Sequence, residues 1–426
     1  MRTPRRHPLI ESLLEARGNP RACMYTEPMW GIPFNLYAPF ASVYMLALGV
    51  GERSIGLIAT VGLALQIITS ILGGPITDRL GRKRATLIFD ILSWSIPTLL
   101  WALARSEAWF YLAAIVNSML RITMTSWTCL FIEDAPKRRV VHFWMWVHIA
   151  GIVAGVVSPL AGLLIDRFEL IPMMRIFYFF AFLSMTSKFV ILNIYATETR
   201  QGEVRLRETS AAAFGSLVAE SVRDIPRIFR SPGTLVAIVL LAVHAIYITI
   251  RGTFFAVLLA EGLAFSAAEI GLFPALRSLV ILAVFFFVVP RLDQDRHMGY
   301  LLLGMAVTIA SLVILVLAPV RGLAVVALAT VIEGVGAGLL APYLEGFVTA
   351  IVDPHHRARI LAVANTFVLA IASPFGWIAG MLSETAKGLP FVLAALVLVT
   401  GAVIAIALNP EMTGAEIVDS TRNGPR

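Results

Sequence analysis

The amino-acid sequence predicts an all-α membrane protein of twelve transmembrane helices, arranged as two six-helix halves. Three observations carry this. The 426 residues are 58% hydrophobic and only 14% charged, with a mean hydropathy of +0.83, whereas soluble domains are roughly 45–50% apolar and about 25% charged. Charge this scarce cannot cover a water-facing surface. Apolar stretches long enough to cross about 30 Å of hydrocarbon recur along the whole chain. Finally, pieces of the first half reappear at a constant offset of 215 residues in the second.

Residues 1–23 form a basic tail with Arg2, Arg5, Arg6, Arg17 and Arg21. The apolar segment after it is too long for a signal-peptide core and ends in no small-residue cleavage site. The tail is therefore expected to be retained and cytoplasmic. Twelve spans follow, at 28–50, 54–76, 85–104, 108–132, 141–165 and 172–195 in the first half. In the second they fall at 233–260, 266–289, 299–318, 322–350, 359–383 and 388–408. The halves take in residues 24–196 and 233–410, joined by a central loop at 197–232 and followed by a tail at 411–426. Prolines inside spans are tolerated because neighbouring helices satisfy the freed backbone groups. In the central loop Phe214, Leu217, Val218, Val222, Ile225 and Phe229 recur at helical spacing, among Glu220, Arg223, Asp224 and Arg227. This predicts an amphipathic helix on the inner membrane interface, with docking of a soluble partner as the alternative.

Lys and Arg number 24 on the side of the amino terminus and 6 on the other. Basic residues gather in cytoplasmic loops, so both termini are expected in the cytoplasm and the protein in the plasma membrane. The same clustering explains a pI of 9.7 without nucleic acid. Cys23 and Cys129 supply neither a disulfide framework nor metal-ligand spacing. No phosphate-binding loop, zinc pattern or nucleophile constellation appears, so an enzyme or an ATP-driven pump is not expected, nor is any cofactor or metal.

Between spans 2 and 3 lies Gly74-Pro-Ile-Thr-Asp78-Arg79-Leu-Gly81-Arg82-Lys83-Arg84, a knot of charge that must sit outside the hydrocarbon. The repeat is visible around it. Ile55-Gly56-Leu57 recurs as Ile270-Gly271-Leu272, Pro75 as Pro290, Asp78 as Asp293, and Ser158-Pro159 as Ser373-Pro374. The second copy carries Arg296 and His297 where Gly81 and Arg82 would fall. Two parallel six-helix repeats are an architecture of secondary transporters, with the substrate site between them near the midplane.

The run Gly74-x-x-x-Asp78-Arg79-x-Gly81-Arg82-Lys83, after the second of twelve spans, resembles the signature of the major facilitator superfamily. The resemblance extends over about residues 24–410. It implies a conformational gate in which Asp78 caps or pairs with span 11 and Arg82 reaches Glu133 or Asp134 at the end of span 4. Gly74 would let helices approach closely, and Arg79 would serve the gate or topology alone. Arg121 is the candidate for the span 4 arginine of proton-coupled members, although it sits closer to Asp134 than that pattern requires. Gly151, Gly155, Pro159 and Gly162 partly match the span 5 pattern of antiporters, with tight helix packing as the alternative.

Ionisable groups at membrane depth are functional candidates. Glu333, roughly 18 Å into span 10 at 1.5 Å per residue, is the leading proton site, or else the structural partner of a buried arginine. Asp90 is a second proton candidate or a rim partner. Asn117 and Arg121 share a face of span 4 at i, i+4, and His244, Tyr247 and Arg251 make a polar stripe on span 7. With Asn35 and Arg277, these are the expected substrate-binding residues. Lys188 is expected to snorkel to the interface, and Trp30, Trp94, Trp101 and Trp109 to anchor or pack.

The reading is a monomeric secondary transporter in the lipid bilayer, moving a small molecule by alternating access, coupled to protons. Antiport exporting small amphipathic or anionic compounds leads. Movement of a polar solute such as a sugar or organic acid is the alternative, and a non-transporting sensor or lipid-handling protein the third.

Overall fold

The computed structural model describes residues 8–136, 139–210, 213–222, 232–292, 297–351 and 357–408. Among the described residues eleven helices are long and apolar enough to cross a membrane. They are Glu52–Leu80, Arg82–Leu103, Glu107–Ile132, His142–Phe168, Leu170–Tyr195, Gly233–Gly262, Ala267–Arg291, Met298–Val316, Leu323–Val348, Ala364–Thr385 and Leu389–Ala407, numbered spans 2 to 12. Span 1 is helical but interrupted. Pro28–Tyr37 and Ala41–Ala47 flank a tight turn at Ala38–Phe40. Pro39 lacks the N–H that would continue the helical ladder, and the backbone tightens there.

Breaks inside other spans decide where side chains point. Span 4 divides at Ser118–Met119 into Glu107–Asn117 and Leu120–Ile132. Span 5 divides ahead of Pro159 into Val140–Gly155 and Ser158–Phe168. Span 3 widens into a π-turn at Ile91–Ser95, next to Asp90. Span 2 runs through Pro75 to Leu80, four residues beyond the expected 76, so Asp78 and Arg79 ride on its last turn. It ends at Gly81, whose φ of +82° is readily available to glycine.

Spans 1–6 and 7–12 form the two halves, which meet along spans 2 and 11 and spans 5 and 8. At Gly56 the fit is backbone to backbone: a side chain there would run into the Gly376 carbonyl and reach Gly380. The Thr60 hydroxyl inserts into span 11 near Pro374, donating to Ser373 O at 2.7 Å and accepting from Trp377 N at 2.9 Å.

Two short helices, Arg200–Thr209 and Phe214–Val222, lie in the central loop. Both pack against span 2, and Leu217 is buried. Of the expected amphipathic stretch, Arg223, Asp224, Ile225, Arg227 and Phe229 fall outside the described residues, as do Asp293 and Arg296.

Candidate functional site

At the end of the molecule that carries the amino terminus, the signature run folds into a charge network. Arg82 is buried. Its Nε donates to both Glu133 oxygens at 3.1 and 3.2 Å, and its Nη1 to Asp78 Oδ1 at 3.0 Å. Of the two acids expected at the end of span 4, Glu133 takes the arginine, while Asp134 accepts from the Arg200 amide at 3.3 Å. Among the described residues Asp78 finds its partners away from span 11. Its Oδ2 accepts from Arg205 Nη2 at 2.7 Å and Nε at 3.0 Å. That bond raises the Arg205 pKa above its ordinary value. Glu198 accepts from the amides of Arg82 and Lys83 at 3.0 and 3.1 Å, satisfying two donors at the start of span 3. Nothing in the sequence but loop charge marks Arg205 and Glu198 for this role. The expected close approach is not at Gly74, which has open space beside it. Gly73 makes it, where a side chain would lie 2.8 Å from Thr125 Oγ1. Arg79 stacks over Phe214 at 6.0 Å.

A cavity of about 410 Å³ lies within spans 1, 2, 3, 4 and 6, with span 7 of the other half completing its wall. Phe34, Tyr37, Trp94, Trp101, Phe110 and Tyr178 give it an aromatic lining. Its polar groups are neutral: Ser42, Gln66, Thr98, Asn117, Thr249 and Thr253. Trp94 and Trp101 are therefore wall residues rather than interfacial anchors. Trp101 packs edge-on to Phe110 at 4.6 Å and tilted against Tyr178 at 5.0 Å, so the rings hold one another in place. Asn117 lines the cavity while its Nδ2 donates to Ser93 O at 2.6 Å. The break at Ser118 interrupts the helical face it was expected to share with Arg121. Arg121 instead donates from Nε to Gln66 Oε1 at 2.8 Å, one residue behind the wall.

The ionisable residues at membrane depth divide into separate clusters. In the second half Glu333 is buried and accepts from Tyr247 OH, from Arg251 Nε at 3.0 Å and from Arg277 Nε at 3.0 Å. Tyr247, Arg251 and Arg277 thus converge on a carboxylate and do not line the cavity. The cluster ties spans 7, 8 and 10 together, and its formal charge, one carboxylate against two guanidiniums, is +1. His244 is also off the cavity wall, packed beside Leu240, Leu301 and Met305, and its buried Nδ1 has no hydrogen-bond partner among the described residues. Asn35 turns back to Gly31 O at 2.8 Å and does not line the cavity either. In the first half Lys188 is buried, not snorkelling, and its ammonium meets Glu27 at 2.8 Å. The buried Asp90 carboxylate lies within electrostatic reach of both. Two acids with one lysine leave this cluster one proton short of neutrality.

The opposite end of the molecule is joined across the halves. Asp166, at the end of span 5, accepts from the amides of Ala267 and Ala268 at 2.9 and 3.0 Å. A carboxylate there complements the helix start of span 8. Glu384 accepts from the Arg53 amide at 3.2 Å, and Lys387 pairs with Glu52.

Residues 30–376 match the family model described as Major Facilitator Superfamily. The fold is similar to that of the solved nucleoside transporter NupG, with a TM-score of 0.69 at 14% identity over 92% of this chain and 99% of that one. It is also similar to a POT family transporter solved with 5-aminolevulinic acid, with a TM-score of 0.67 at 15% identity over 92% and 96%. The human organic anion transporter MFSD10 gives 0.60 at 14% identity over 94% and 100%. No curated protein matches the chain in sequence. Identities this low establish a shared fold.

Proposed function

The chain belongs to the Major Facilitator Superfamily, and from that premise we propose that it is a proton-coupled antiporter exporting small amphipathic molecules by alternating access. The observation that carries this is the cavity wall. Aromatic rings supply a stacking surface and a few neutral amides and hydroxyls supply orientation, the usual make-up of a pocket for a small, largely apolar ligand. The basic residues that would favour an anionic cargo are engaged elsewhere, Arg251 and Arg277 on Glu333 and Arg121 on Gln66. An aromatic polar solute such as a nucleoside, the cargo named for one solved relative, suits the same rings and amides, and its uptake is the second reading.

The proton is assigned to Asp90, in the buried cluster that needs one proton to become neutral, and not to Glu333, which three donors already engage. Glu333 instead holds the second half rigid during rocking. Asp78, Arg82 and Glu133 shape the first half's side of the gate at the end carrying the termini. The Lys and Arg asymmetry argues that this end is cytoplasmic and the membrane the plasma membrane. With the opposite end joined, the conformation is then inward-facing, and the protein works as a monomer.

Proteoliposomes under an imposed pH gradient test the reading with a panel of small aromatic amphiphiles. Expected is substrate-linked proton movement that Asp90→Asn abolishes while substrate exchange without a gradient persists. No proton movement with any compound would sink coupling. Unchanged coupling in Asp90→Asn would remove the assigned site.

A further inference from the structure

Two sets of basic residues stand out at the rim of the termini end. Arg82, Arg139 and Arg205 each have a carboxylate partner. Arg79, Lys83 and Arg84 have none among the described residues, yet all three line one cavity of about 850 Å³. They come from the last turn of span 2 and the first turn of span 3, which the turn at Gly81 brings side by side. Against these three cations the wall carries two acids, Glu198 and Glu203, which leaves a formal charge of +1. Glu198 directs both oxygens to the Arg82 and Lys83 amides, and Glu203 forms no ion pair with any of the three among the described residues. The remaining floor is apolar, from Leu80, Leu87 and Leu206.

The surroundings identify the occupant. Leu80 and, one turn beyond Arg84, Ile88 are exposed apolar side chains. Asn193 lines the cavity at the end of span 6, and the adjoining Ile194 and Tyr195 are 67% and 72% exposed. Large apolar groups this exposed on a spanning helix face acyl chains, and a tyrosine at the helix end marks the headgroup level. The cavity therefore sits where the apolar belt stops, with cations above and hydrocarbon alongside. We propose that Arg79, Lys83 and Arg84 form a binding site for the headgroup of an anionic phospholipid, its phosphate held by the three cations and its acyl chains lying along Ile88 and Ile194. Basic recesses at this depth are suited to anionic headgroups. The site goes beyond the transport reading and does not depend on it. Because it spans the turn between Asp78 and Arg82, its occupant would also brace the gate.

Native mass spectrometry of the full chain, equilibrated with an equimolar mixture of phosphatidylglycerol and phosphatidylcholine, tests this. Expected is retention of phosphatidylglycerol over phosphatidylcholine by roughly tenfold or more, given about 1 kcal/mol per basic residue near the surface. The variant Arg79→Gln/Lys83→Gln/Arg84→Gln should lose that preference. Arg139→Gln, whose guanidinium pairs with Glu15, should keep it. Equal retention of the two lipids by the unaltered protein would overturn the proposal without recourse to any variant. A preference that survives the triple substitution, or one that millimolar inorganic phosphate competes away, would overturn it too, the latter by pointing to a soluble-anion site. If the triple variant does not fold, Lys83→Gln alone should still reduce the preference severalfold, and no reduction would count against the site.

Discussion

The two ends of the molecule are held by opposite means. At the end carrying the amino terminus, the described ion pairs lie inside the first half and its attached loop: Arg82 with Glu133 and Asp78, and Arg205 with Asp78. At the other end the bonds cross between halves, and they rest on backbone as much as on charge. Gly56 packs on the Gly376 carbonyl, Thr60 enters the backbone of span 11, and Asp166 caps span 8. The difference separates a device that shapes one half from a seal that joins two. If the halves rock as proposed, the seal must open, so it should be built from many small contacts. The charge network can be stronger, because it need not break for the halves to part at the far end.

The sharpest test of that contrast is Arg82→Leu. It leaves Glu133 without its arginine and removes one of the two arginines on Asp78 in a largely buried network, a change that typically costs about 3–5 kcal/mol. A large loss of thermal stability in detergent is expected, with both ends of the transport cycle affected. Next is Gly56→Val. Overpacking of this kind costs about 1–3 kcal/mol, here against the sealed conformation only. Spin labels at Arg53 and Thr385, with Cys23 and Cys129 replaced by serine, should report a longer distance and little change in stability. If the seal relied on charge, this substitution would be nearly silent. Asp166→Asn keeps an acceptor for only one of the two span 8 amides and removes the charge, itself worth about 0.3–1 kcal/mol at a helix start. The same label pair should move a few-fold in population toward the open form. Glu384→Gln should be smallest, since it keeps an acceptor oxygen for the exposed Arg53 amide and removes only a solvent-screened charge, worth about 0–1 kcal/mol. A larger shift from Glu384 than from Gly56 would reverse the comparison.

The fold was legible because hydropathy, charge placement and the repeat are properties of the chain alone. The first span shows the limit: Pro33 and Pro39 were visible, but where the helix would tighten was not. At the site, Glu333, Tyr247, Arg251 and Arg277 stood out individually as polar groups at membrane depth. Their convergence on one another and away from the cavity depended on how spans 7, 8 and 10 turn. The aromatic wall was harder still. Trp94 and Trp101 look the same in sequence whether they anchor, pack or bind, since a tryptophan's role depends on which neighbour stands opposite. Asp166 could have been suspected from a lone acid closing span 5 and a Ser266 cap opening span 8, but nothing local says that those ends meet.

The sequence by itself determined the membrane as solvent, the helical spans and the doubled architecture. The spans follow from apolar side chains in hydrocarbon around a polar backbone whose hydrogen bonds must close internally, and the doubling from the repeat at 215 residues. Only the tertiary structure decided which charges meet. Arg82 chose Glu133 over Asp134, Asp78 took Arg205, Lys188 turned inward to Glu27, and Arg79, Lys83 and Arg84 were left together on the wall of one cavity. Pairing acts over a few ångströms across residues far apart in the chain. It is therefore set by helix rotation and break points, which composition and spacing do not encode.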